Sequence, residues 1–179
     1  MTILDLSTAI EMGLASDKPH QAPQIIYRSH ADNAETVAKA YGVTKDELPY
    51  GIGWANETIT LASHSGCHMD APWHYFPTMN NGEPSRTIDQ VPLEYCFSDG
   101  VHLDFSQWDP RKIIHADDIR RVLDQMEYQL KPLDIVLLES GAAPHFGQPD
   151  YTSYGAGVSE EATVWLMEQG IKVVGTDSF

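Results

Sequence analysis

Asp134-Ile135-Val136-Leu137-Leu138-Glu139 is a continuous apolar run with a carboxylate at each end. Side chains alternate across a strand, so a run with no polar member predicts a strand buried on both faces. Residues 159–169 then read as a helix. Ser159 suits the N-cap, Glu160 and Glu161 sit in the first turn where carboxylates favour the helix dipole, and Gly170 stands where a left-handed residue ends it. Ile171-Lys172-Val173-Val174-Gly175 predicts a second buried strand. Strand, helix and strand in that order imply a parallel crossover and an α/β class.

Upstream, residues 115–129 repeat apolar side chains at Ile119, Val122, Leu123 and Met126, the 3.6-residue spacing of a helix. Residues 95–105 read as a strand pair or one bent strand, turning at Ser98-Asp99-Gly100. The stretch FPTMNNGEPSRTIDQVP, residues 76–92, is dense in turn-formers and predicts a long irregular loop. In residues 54–63, Thr58 and Thr60 alternate with Ile59 and Leu61 as in a half-buried strand. Residues 33–40 predict a helix ended by Gly42, with a short turn at 44–48. Residues 19–29 read as loop with a short extended piece, and residues 3–7 alternate like a strand.

The whole chain has 179 residues, the size of one domain, and 42% are hydrophobic, enough for a sizeable core. A net charge of −15 repels phosphate backbones and anionic lipid, so nucleic-acid and membrane-surface roles are disfavoured. No apolar run approaches the roughly 20 residues that span a bilayer. The start MTILDLSTAIEMG lacks the features of a signal peptide, which predicts a cytoplasmic protein. Cys67 and Cys96 read as free thiols in that setting.

The chemistry concentrates in His64-Ser-Gly-Cys-His68-Met-Asp70-Ala-Pro-Trp-His74, flanked by Tyr75 and Phe76. Zinc, manganese and iron(II) all accept such a mixture of nitrogen and oxygen donors. Taken singly, each histidine reads better as a capping or hydrogen-bonding residue of a polar loop, and it is the four residues together at this spacing that read as a site. Gly66 and Pro72 argue against one helix through 64–74 despite the four-residue spacing of His64 and His68. An extended chain would part His68 and His74 by up to ~20 Å, so sharing one ion requires a bend, and Gly66 and Pro72 are the natural places for it. An ion with an open position can bring the pKa of water from 15.7 to about 7. His74 suits general acid/base work, because imidazole exchanges protons near neutral pH.

The segment HSGCHMDAPWHY closely resembles the HxGTHxDxPxH signature of the cyclase family of metal-dependent hydrolases, which includes bacterial kynurenine formamidases, isatin hydrolases and a trans-dienelactone hydrolase. Asp5-Leu6-Ser7, residues 86–105 and Gly175–Phe179 resemble further stretches of that family. The resemblance implies that His64, His68 and Asp70 are metal ligands, with zinc or manganese the ion, and that His74 is the catalytic histidine. It implies hydrolysis of an amide, lactam or lactone in a small aromatic or unsaturated substrate. The implied fold is α/β, a central mixed β-sheet partly curled into a barrel with flanking helices, in a homodimer or homotetramer. Cys67 stands where the family has threonine, beside the ligands. Family members also continue past the stretch matching Gly175–Phe179 and supply a further histidine and a glutamate. The expectation is therefore a single domain over 1–179 that lacks its C-terminal part.

Trp73 reads as a substrate-binding wall, and Trp54 as either pocket or core. His102, His115 and His145 stand in ordinary strand, helix-start and loop contexts, and Asp177 and Ser178 read as support for the site. Ser140 and Gly141 follow a buried strand at the end where α/β sheets place ligands, though a plain turn explains them equally. Two alternatives accompany the hydrolase: a non-catalytic or incomplete member of the same fold, and an iron(II) 2-His-1-carboxylate oxygenase. The latter class needs a many-stranded sandwich, against which the helices at 115–129 and 159–169 argue.

Overall fold

The computed structural model describes residues 5–179. The chain divides into two compact units, Met1–His68 and Met69–Phe179, and each is described by itself. Ile3 and Leu4 of the expected opening strand lie outside the described residues, and Asp5, Leu6 and Ser7 take no strand conformation.

In the first unit, β1 (Gln24–Arg28) pairs antiparallel with β2 (Asn56–Thr60), from Gln24 opposite Thr60 to Arg28 opposite Asn56. Between them lies α1 (Ala34–Tyr41), which buries Ala34, Val37 and Ala38. Gly42 ends α1 at φ 69°, a left-handed conformation that glycine takes without steric cost. The alternation around Ile59 predicts half burial, yet every residue of β2 is exposed. A lone two-stranded pair has few neighbours from which to build a covering layer.

The second unit begins with the one-turn helix α2 (Pro72–Tyr75) and a small antiparallel pair, β3 (Thr78–Met79) and β4 (Glu83–Pro84). The pair interrupts the segment read as an irregular loop. Asn80, Asn81 and Gly82 all take positive φ, and the Asn-Gly dipeptide is a hairpin signal that the density of turn-formers concealed.

The core of this unit is a parallel sheet in the order β5 (Gly100–Asp104), β7 (Ile135–Glu139), β9 (Val173–Thr176). The short strands β6 (Ile113–Ile114) and β8 (Gly157–Val158) make a separate parallel pair. Helices α3 (Ala116–Gln125) and α4 (Glu160–Glu168) pack together, and α4 is the crossover between β7 and β9. Val101, Leu103, Val136 and Leu138 point from the sheet into one apolar cluster with Ile119 and Leu166 of the helices. Ser159 caps α4 by accepting the N–H of Ala162, and Gly170 follows at φ 87°, both as the sequence predicts. Helix α3 stops short of residue 129 because Met126 caps it and Glu127 turns to φ 53°.

The α/β class is as expected. Parallel and antiparallel pairs both occur, but in separate sheets, and the described residues form no closed barrel. Among the described residues, no helix is long and apolar enough to cross a membrane.

Candidate metal centre

The histidine segment is continuous chain leading from β2 to α2, and it bends where the sequence predicts. Gly66 takes φ +66°, and a Cβ there would stand 3.2 Å from Ile10 Cγ1, so the left-handed turn and the close approach both favour glycine. Ser65 Oγ donates to the carbonyl of Gln21 at 2.8 Å, which anchors the turn. At the second bend Ala71 is extended, as a residue before proline prefers, and Pro72 opens α2. The backbone N–H of Trp73 donates to Arg86 O at 3.0 Å.

These two bends draw His64, Asp70 and His74 together. One ligand atom from each lies within 4.8 Å of the others, with His64 and Asp70 half-buried and His74 exposed. Among the described residues no other trio of histidine, cysteine or carboxylate side chains converges so closely. The donors are two imidazole nitrogens and one carboxylate oxygen, a set that zinc and manganese both accept.

His68 sits beside this trio rather than within it. Its Nδ1 lies 2.8 Å from Gly66 O, and its Nε2 lies 3.2 Å from His64 Nδ1. A carbonyl only accepts, so His68 Nδ1 carries the proton. For neutral rings His64 Nδ1 then donates to His68 Nε2, and the lone pair of His64 is on Nε2. The two rings meet edge to face with centroids 5.1 Å apart.

Helix α2 also folds Tyr75 back toward Asp70. The Tyr75 hydroxyl donates to Asp70 Oδ2 at 3.1 Å, and its ring stands edge-on to His74 with centroids 5.0 Å apart. Partial desolvation of the hydroxyl, on a side chain that is otherwise largely exposed, raises its pKa above the ordinary tyrosine value, and the adjacent Asp70 charge acts in the same direction. The sequence reading treats Tyr75 only as a flanking aromatic. A one-turn helix starting at Pro72 is the signal that returns residue 75 over residue 70.

Cys67 is exposed and faces the N-terminal stretch, where the N–H of Thr8 donates to its Sγ at 3.3 Å. Trp73 is 55% exposed. Trp54 stands edge-on to Tyr41 at 5.9 Å and lines, with Val37, Leu48 and Ile52, a groove of about 530 Å³ within the first unit. His102, His115 and His145 each have a carboxylate partner outside the trio: His102 with Glu139 at 2.8 Å, His115 with Glu161 at 3.3 Å, and His145 with Asp150 at 2.9 Å. Asp177 accepts the backbone N–H groups of Ser140 and Ala143 at 2.6 and 2.8 Å, which makes it a loop-holding residue.

Comparison with known proteins adds one family and three individual likenesses. The family described as "Putative cyclase" matches residues 4–179. A kynurenine formamidase of Bordetella petrii is 30% identical over 162 residues, which cover 82% of this chain and 68% of that protein. Isatin hydrolase A of Ralstonia solanacearum has the same fold, with a TM-score of 0.72 at 17% identity over 98% of this chain and 66% of that one. An isatin hydrolase bound to the product analogue thioisatinate matches at a TM-score of 0.67 and 17% identity, covering 96% of this chain and 62% of that structure. The chain thus spans a little under two thirds of the length of these solved relatives.

Proposed function

This chain belongs to the cyclase family, and on that premise we propose that it is a metal-dependent hydrolase of a C–N amide or cyclic amide, or of an ester bond. The observation that carries the proposal is the convergence of His64, Asp70 and His74 within 4.8 Å. The relatives, a kynurenine formamidase and isatin hydrolases, support a small aromatic amide or lactam as substrate, and the signature's resemblance to that of the cyclase family extends the class to unsaturated acids and lactones.

We assign His64, His68 and Asp70 to hold zinc or manganese and His74 to handle the proton. When bound, the ion supplies a Lewis acid that polarises a carbonyl and makes water a better nucleophile at neutral pH. His64 offers Nε2, and His68, whose Nδ1 is held on Gly66 O, offers its Nε2 when the hydrogen bond from His64 Nδ1 is given up. His74 is the exposed member of the trio and sits on α2, where its imidazole can give a proton to a leaving amine or alcohol. Trp73, also exposed, offers a flat apolar face to an aromatic ring. A single domain over 1–179, closure of its strands into a partly curled barrel, assembly as a homodimer or homotetramer, and a cytoplasmic location belong to the same proposal.

The test is turnover of N-formylkynurenine, isatin and a dienelactone by purified protein supplied with zinc or manganese. Hydrolysis of one of them that disappears in His74→Ala supports the reading. No hydrolysis of any amide, lactam or lactone by protein with stoichiometric metal rejects it in favour of a non-catalytic metal-binding member.

A further inference from the structure

We propose that Tyr75 is a positioning residue for the metal-binding carboxylate, holding Asp70 through the hydrogen bond from its hydroxyl to Oδ2. The inference rests on the reading above that residues 64–74 hold a divalent cation. A carboxylate on a flexible side chain presents two interchangeable oxygens, and a donor fixed on one of them removes that freedom. Tyr75 is well placed to be such a donor. Its backbone is set by α2, whose first residue is Pro72 and whose last turn is closed by the N–H of Phe76 on Pro72 O at 3.2 Å. The same side chain stands edge-on to His74, so one residue limits the rotation of two members of the trio.

Partners that hold metal ligands in place are worth roughly 10- to 100-fold in metal affinity. Tyr75 is 72% exposed, so solvent competes for its hydroxyl, and the expected effect is at the lower end, about tenfold. The exposure also means that removing one oxygen leaves the surrounding packing intact, which makes Tyr75→Phe a clean probe.

The experiment titrates wild-type protein and Tyr75→Phe with zinc chloride, and separately with manganese chloride, against a chromophoric chelator. Thermal melting of both proteins is measured without metal. The expected result is an affinity weakened about tenfold in Tyr75→Phe with unchanged melting of the metal-free forms. Equal affinities overturn the role of Tyr75 while leaving the metal reading standing. A loss of affinity accompanied by lower melting of the metal-free variant overturns it too, because the tyrosine is then supporting the fold. Wild-type protein that binds neither metal overturns the metal reading and this inference with it.

Discussion

Asp177 accepts the backbone N–H of Ser140 through Oδ1 at 2.6 Å, which joins the first residue past β9 to the first residue past β7. Its other oxygen takes the N–H of Ala143, and Tyr151 donates its hydroxyl to the Asp177 carbonyl at 3.0 Å. Burial alone would raise this carboxyl's pKa, but the hydrogen bonds from Ser140 and Ala143 outweigh it and hold the pKa below the usual carboxylate range. A carboxylate depressed on folding stabilises the folded state above its unfolded pKa of about 3.9, and that contribution is lost as pH falls through the lower folded value. Asp177→Asn is therefore expected to cost about 1–2 kcal/mol at pH 7, where charged acceptors of backbone N–H groups contribute most. Urea unfolding should show the gap between variant and wild type shrinking below about pH 4. A pH-independent gap would remove the carboxylate's charge from the account.

Gly141 allows that loop to leave the sheet. It takes φ +87°, and a Cβ would lie 2.8 Å from the backbone oxygen of Ser106. Neither the strain nor the clash can be relieved by turning a side chain. Gly141→Ala is expected to destabilise by roughly 1–3 kcal/mol, lowering the melting temperature by several degrees. An unchanged melting temperature would mean that the two segments part without cost.

Ser159 accepts the N–H of Ala162 at 3.2 Å and so satisfies one of the orphan donors at the start of α4. Ser159→Ala is expected to cost about 1 kcal/mol, and Ser159→Gly only a few tenths, by chemical denaturation.

The roles of His68 and His74 separate by metal analysis. Under the assignment proposed, His68→Ala loses bound zinc or manganese. His74→Ala keeps the metal and loses about 10²- to 10⁴-fold in turnover, the usual value of a general acid or base. Metal loss in His74→Ala with retention in His68→Ala would exchange the two roles, and would follow the trio that the structure draws together.

Ligation requires deprotonated donors, so metal affinity is expected to fall on acidification. Dialysis against a chelator should abolish hydrolysis, and adding back zinc or manganese should restore it. Activity that survives chelation would take the metal out of the reaction.

What the sequence determined by itself is what neighbouring residues decide through sterics and local hydrogen bonds. The apolar run at 135–138, the Ser159 cap and Gly170 specify the β7–α4–β9 crossover, and Gly66 and Pro72 specify two bends in the histidine segment. The identity of the chemistry-bearing residues was legible for the same reason, since histidines and a carboxylate at close spacing need no tertiary information to be noticed. Only the tertiary structure decided that β5 lies beside β7 with Gly100 opposite Ile135, that β2 is exposed along its whole length, and that Asp177 closes on Ser140. These depend on segments distant in the chain meeting, which no local pattern encodes. The site shows the same division at shorter range. Spacing puts His64, His68, Asp70 and His74 within one short segment. The rotation of each side chain about its own bonds, set by Gly66 O, by the Tyr75 hydroxyl and by the turn of α2, decides which three of them meet.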